Sequence, residues 1–298
     1  MTGPPEVAGS ATQPTPASPS GPGAAPRWWR RYVTDVITAT EADSAAYQRV
    51  TSPARSAQRT ALVLVVSAVC LTLISFLGRG RDADWLVTGL EWAGLDSLAG
   101  DLARHLSSDG NPPFNRLMLW AGVSVVGYVV LPVLAVRLVL RERLRDFGLR
   151  VSGVARSWKP YAALFAVAMP FILLASRAGE FQTRYPFYDL APAEAWWPYL
   201  WLWWAAYALQ FAALEFFFRG FMVHGLKQRL GIGAVFVMVV PYTMIHFGKP
   251  LPEALAAILG GTILGFLSLK TGAIWWGVAL HVAVAGSMDL LALAHQSL

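Results

Sequence analysis

The sequence predicts an all-α, polytopic integral membrane helix bundle with about seven spans. Three observations carry that prediction. Of the 298 residues, 55% are hydrophobic and only 14% charged, against roughly 25% charged in soluble domains. Apolar runs approaching the ~20 residues that cross a bilayer recur along the chain. Lys and Arg gather in alternate connecting segments, the pattern that sets membrane orientation.

The elements follow in order. Residues 1–26 are rich in Pro, Gly, Ala, Ser and Thr, with Glu6 as the one charge. Such a segment cannot bury enough apolar surface to offset its ordering entropy, so it reads as a disordered tail. It lacks the basic start and apolar stretch of a signal peptide. Residues 27–59 open with Arg27-Trp28-Trp29-Arg30-Arg31 and read as a cytoplasmic interfacial segment. Tryptophan beside arginine favours the headgroup layer.

Residues 60–114 hold the first span, Ala61 to Gly78, and an external segment. There Leu95, Leu98, Leu102 and Leu106 recur at helical spacing, as in an amphipathic helix on the outer surface. Residues 115–293 form the main bundle. Its spans are Leu117 to Leu140, Tyr161 to Ser176 with a bend at Pro170, and a fourth from the tryptophan belt at 196–204 past Arg219. Then come Ile232 to Phe247, Glu253 to Leu269, and Ala273 to about Leu293, with residues 294–298 as a tail. The basic stretch Arg141 to Arg150 lies between the second and third spans.

With the N-terminus inside, fifteen Lys and Arg fall on the cytoplasmic side and seven outside. The N-terminus is therefore expected in the cytoplasm, and the chain in the plasma (inner) membrane of a bacterium. The net charge of +6 sits beside apolar runs, so it reads as topology and contact with anionic lipid, with no nucleic-acid partner. Cys70 is the single cysteine, which rules out an intrachain disulfide and a thiolate zinc cage.

Charges inside the spans cluster in the C-terminal part: Glu215, Arg219, His246, His281 and Asp289, with Lys249 and Glu253 at a helix end. Ionisable groups at membrane depth are costly and usually face the bundle interior, where they serve function. Arg137 lies near a span end and can snorkel. Glu215 and Arg219 are four apart and share a helix face. They read equally as a packing ion pair and as part of a site. His246 follows Pro241, which should kink its helix, and could simply bond a neighbouring carbonyl. The turn near residue 230 puts Glu215 and His246 level on adjacent antiparallel helices, so the two are expected to meet. His281, Ala285 and Asp289 lie along one stripe of the last helix. Gly260, Gly261 and Gly265 indicate close helix packing. His105, His224 and His295 read as solvated or interfacial.

The segment Leu214-Glu215-Phe216-Phe217-Phe218-Arg219-Gly220 resembles the first motif of the CAAX-protease and bacteriocin-processing family of intramembrane proteases, Glu-Glu-xxx-Arg. Tyr242 to His246 resembles the second, an aromatic residue, three others and His. The third, His-xxx-Asn or Asp, starts at His281. Order and spacing agree over roughly residues 115–293. The chain departs from the pattern at Leu214, where the first glutamate is expected, and at Ala285. The resemblance implies a membrane-embedded endopeptidase acting on a membrane-associated or C-terminal protein segment. Glu215 and His246 would activate water, and His281 and Arg219 would support the oxyanion, with Asp289 and Glu253 as supporting carboxylates. No cofactor is required, and a bound zinc would draw on His246, His281 and Glu215. A binding or regulatory scaffold that no longer cuts, and a small transporter, are the alternatives.

Overall fold

The computed structural model describes residues 25–78, 84–189 and 197–296. Most of the expected N-terminal tail and the last two residues of the C-terminal one lie outside these, as does Trp196 of the tryptophan belt.

The described chain is helical, and its helices begin and end where local chemistry dictates. After a short turn at Arg27–Trp29 comes α1 (Asp35–Val50). The first long apolar helix is α2 (Pro53–Leu77), capped by the Ser52 hydroxyl on the Arg55 N–H, with Pro53 in its first turn. Two short helices follow, α3 (Asp84–Trp92) and α4 (Asp96–Ser107). The segment expected on the outer surface is therefore two helices, broken at the left-handed Gly94. Leu95 and Leu98 are exposed on it. The next helices are α5 (Pro112–Leu134), capped by Asn111, and α6 (Lys159–Ala175). The site is built on the last four: α7 (Tyr199–Leu230), α8 (Gly233–Met244), α9 (Leu251–Thr271) and α10 (Trp275–Gln296).

Among the described residues, six helices are long and apolar enough to cross a bilayer. The seventh apolar segment, α8, has only 12 residues, about 18 Å at 1.5 Å per residue. Its expected extension to Phe247 does not form. Pro241 lacks the N–H for the preceding turn, and the chain leaves the helix after Met244.

Helix α7 is the axis of the bundle. Residues 213–226 are all buried, as a helix must be when it is apolar on every side and other helices surround it. Phe217, Phe218, Phe221 and Met222 pack there with Val63 of α2, Tyr128 of α5 and Met238 of α8. Helix α8 lies against α9 because two glycines open the contact. A Cβ on Gly261 would stand 2.8 Å from the Tyr242 ring, and one on Gly265 would stand 2.6 Å from Val235. Gly260 faces open space instead.

The basic end is tied together by side chains. Arg59, buried in the first turns of α2, pairs with both Glu142 oxygens and donates from Nε to the Gly225 carbonyl at 3.0 Å. Helix α1 docks on the same end. Ser44 donates to the Gln228 carbonyl, and Glu41 accepts the Ile232 N–H at the start of α8. The interfacial segment is thus packed against the bundle as well as placed at its rim.

Candidate active site

The site forms where α7, α8 and α10 meet. The first determinant is local. From Phe216 to His224, α7 widens into a π-helix, a variant that is rare and concentrated at functional sites. The widening is supported from behind. A Cβ on Gly220 would sit 2.5 Å from the Phe147 carbonyl oxygen, so only glycine admits the turn Leu144–Phe147. The following Gly148, at φ 81°, holds the start of α10 by accepting the Ile274 N–H at 3.0 Å. The basic linker therefore braces the back of the site.

On the front, Glu215 is 1% exposed and Arg219 is fully buried. Glu215 Oε1 lies 3.0 Å from Arg219 Nη1 and 2.9 Å from His281 Nδ1. Both contacts are close in distance, but neither meets the angular requirement of a hydrogen bond. The Glu215–Arg219 contact acts through fixed charge proximity, which is strong in a low-dielectric interior. Helix α10 makes room with Gly277, one turn before His281. A Cβ there would stand 2.5 Å from Glu215 Oε2.

Tyr242 is the centre of the arrangement. Its hydroxyl is 3.0 Å from His281 Nε2. Its ring lies 4.0 Å beneath the Arg219 guanidinium, a cation–π contact that substitutes for hydrogen bonds the guanidinium lacks. Its carbonyl accepts from His246 Nδ1 at 2.8 Å. That last bond follows from the end of α8. The His246 N–H turns to Thr243 at 2.9 Å, so the Tyr242 carbonyl loses its helical donor and the ring nitrogen takes the place.

The expected meeting of Glu215 with His246 does not occur. Glu215 is engaged by Arg219 and His281, and His246 joins the cluster only through Tyr242. The early end of α8 is the reason, because it places His246 in a turn off the helix axis.

Asp289 and Glu253 lie apart from that cluster. Asp289 accepts the Phe187 N–H at 3.3 Å and the Trp204 Nε1–H at 3.2 Å. It anchors the loop between α6 and α7. Glu253 pairs with Lys249 at 2.5 Å and accepts the Tyr185 hydroxyl at 2.9 Å. Leu214 and Ala285, the two departures from the motif pattern, are both packed among buried apolar side chains.

His224 is not interfacial. It is buried, with Nε2 at 3.0 Å from the Ser268 hydroxyl. His105 is exposed, and His295 lies 3.2 Å from the Ser176 hydroxyl.

A zinc on His246, His281 and Glu215 does not fit this arrangement. Among the described residues no three His, Cys, Asp or Glu side chains converge as metal ligands. Three of the four ring nitrogens of His246 and His281 already face protein partners.

Two features escaped the sequence reading. The Tyr242 hydroxyl was hidden because the motif asks only for an aromatic ring. Gly277 carried one signal, its position one turn before His281 on the same face.

Fold and site together define a polytopic membrane protein with a buried glutamate–arginine–histidine cluster. Residues 195–286 match the family model of Rce1-like type II CAAX prenyl endopeptidases. That segment holds Glu215, Arg219, His246 and His281, so the resemblance carried by the three motifs holds where the site lies. No curated protein and no solved structure matches the chain.

Proposed function

We propose that the chain is an intramembrane endopeptidase that cleaves a membrane-associated or C-terminal protein segment. The observation that carries this reading is the convergence of all three motifs on Tyr242. It gathers Arg219, His246 and His281 in the segment that matches the protease family.

The division of labour follows from which atoms are left free. His246 Nδ1 faces the Tyr242 carbonyl and therefore carries the ring proton, which leaves Nε2 as a lone-pair base. His246 is half-buried, whereas Glu215 is nearly inaccessible. In this reading His246 takes the proton of the attacking water. Glu215 fixes Arg219 and His281, and the fully buried Arg219 acts through its field, without touching the substrate, as the positive charge against which the carbonyl oxygen becomes negative. This reverses the expected emphasis on Glu215 as base.

One observation favours a second reading, a scaffold that binds such segments without cutting them. The position of the family's first glutamate is Leu214, 6% exposed and packed in the core, so the site has a single carboxylate.

The test compares membrane and secreted proteomes from cells expressing the wild type, His246→Gln and Glu215→Ala at equal levels. Juxtamembrane or C-terminal peptides should be released by the wild type and fall by about 100-fold or more in His246→Gln, as for loss of a general base. Peptides unchanged across all three, with altered partner capture, would replace the protease reading with the scaffold. The membrane setting is expected to be a bacterial inner membrane with the N-terminus in the cytoplasm. Protease protection of a tag at either end would check it.

A further inference from the structure

The two motif histidines offer four ring nitrogens, and the structure assigns the Tyr242 hydroxyl a part in choosing among them. We infer that this hydroxyl is a positioning group that commits His281 Nε2 and so reserves the base role for His246. The inference rests on the proteolytic reading above.

The argument runs through each nitrogen. His281 Nδ1 sits 2.9 Å from Glu215 Oε1. The contact is too bent for a hydrogen bond, but a lone pair that close to a carboxylate oxygen is still repelled, so this nitrogen carries the proton. The other nitrogen of the neutral ring, Nε2, then has the lone pair. It lies 3.0 Å from the Tyr242 oxygen, and the phenol donates to it. His246 Nδ1 is committed to the Tyr242 carbonyl at 2.8 Å. Among the described residues, His246 Nε2 is the one of the four that keeps a free lone pair. A single residue thus engages both histidines, one with its side chain and one with its backbone.

The hydroxyl is also held in place independently of the histidines. Tyr242 is 3% exposed. Arg219 covers one ring face at 4.0 Å, Phe218 meets the ring edge-on at 5.2 Å between centroids, and Gly261 lets α9 close on it. The His281 ring is stacked flat on Phe211, at 5.2 Å and 5° between planes. Neither partner can turn away cheaply. Without the hydroxyl, His281 Nε2 becomes a second unpaired base beside Glu215.

Tyr242→Phe is the direct test, because it keeps the ring under Arg219 and removes one oxygen. The protein is purified whole in detergent with ¹⁵N-labelled histidine, and the five imidazoles are assigned by His281→Asn and His246→Gln. In the wild type, His281 should show a protonated Nδ1 and an Nε2 that accepts a hydrogen bond. In Tyr242→Phe the Nε2 resonance should move to that of a free acceptor while the His246 signals stay. With a peptide released by the wild type as substrate, kcat should fall about 10- to 100-fold, with KM within about 2-fold, as for loss of a transition-state interaction. The wild-type spectrum alone suffices if the variant fails to fold, since an Nε2–H tautomer there would overturn the assignment. A wild type that cleaves with an unmoved His281 resonance in Tyr242→Phe overturns the inference and leaves the protease reading standing. A wild type that cleaves nothing overturns the protease reading, and the base assignment falls with it.

Discussion

Gly277→Ala tests the placement of Glu215 directly. The added Cβ would lie 2.5 Å from Glu215 Oε2, where an ordinary contact begins at 3.4 Å. The carboxylate would have to retreat by close to 1 Å. Its other oxygen is held between Arg219 at 3.0 Å and His281 at 2.9 Å. Retreat therefore disturbs both partners, and the cost should be about 1–3 kcal/mol, the usual range for overpacking a tight site. Unfolding in mixed detergent and denaturant, followed by tryptophan fluorescence, measures it. The control is the same substitution in a Glu215→Ala, Arg219→Met background, which removes both charges and leaves no carboxylate to displace. There the cost should vanish to within about 0.5 kcal/mol, the limit within which independent substitutions add. An equal cost in both backgrounds would refute the argument, since the clash would then lie with some other group.

Further outcomes follow from the same contacts. Gly220→Ala should cost about 2 kcal/mol or more in the same unfolding assay, because its Cβ would meet the Phe147 backbone oxygen at 2.5 Å. Asp289→Asn should leave one of two donors facing an amide group, the Phe187 N–H or the Trp204 indole. Amide exchange at Phe187 should quicken with a loss of about 1–3 kcal/mol, while cleavage stays near wild type. Burial first, and then the Glu253 carboxylate, hold the Tyr185 phenol protonated above the usual tyrosine range. The folded value is raised, so its contribution is complete below the unfolded value near 10 and is lost progressively as pH climbs from there through the folded one. Ultraviolet titration of wild type against Tyr185→Phe should therefore show one phenol that ionises only on unfolding.

The fold was legible because hydrophobic length and basic flanks are properties of the sequence itself. The motif residues were legible for a related reason. A charge at membrane depth stands out against an apolar background, and Glu215, Arg219, His246 and His281 all did. What was not legible depended on helix endings and on close approach. Counting residues from the turn near 230 put Glu215 and His246 level, which assumes that α8 continues past Met244. Pro241 was visible, but its consequence was not: the turn that follows hands the Tyr242 carbonyl to His246 instead of keeping it in the helix. His224 looked interfacial from its distance to the Lys227 turn. It is buried against α9, where its ring meets the Ser268 hydroxyl. Asp289 shared a stripe with His281, yet two more turns of α10 carry it to the loop around Phe187.

The single glutamate can be reconciled with a working site by charge. A carboxylate buried in a membrane bundle is tolerable when a cation faces it and the remaining polar groups are engaged. Here one glutamate faces one arginine, so the pair is balanced. Leu214 is 6% exposed and belongs to the same apolar cluster as Tyr128 and Phe217, so a second carboxylate there would be desolvated and would need a cation of its own. The chain therefore could not regain the family's first glutamate without a partner for it. Catalysis, in the reading argued here, falls to the half-buried histidine that has a free nitrogen. The charged pair beneath it then works by staying fixed: Arg219 over Tyr242, Tyr242 against His281, and His281 against Glu215 close a ring of contacts. Removing any one member should loosen the other three, which is why the conservative changes, Tyr242→Phe and Gly277→Ala, are more informative than deletion of the charges themselves.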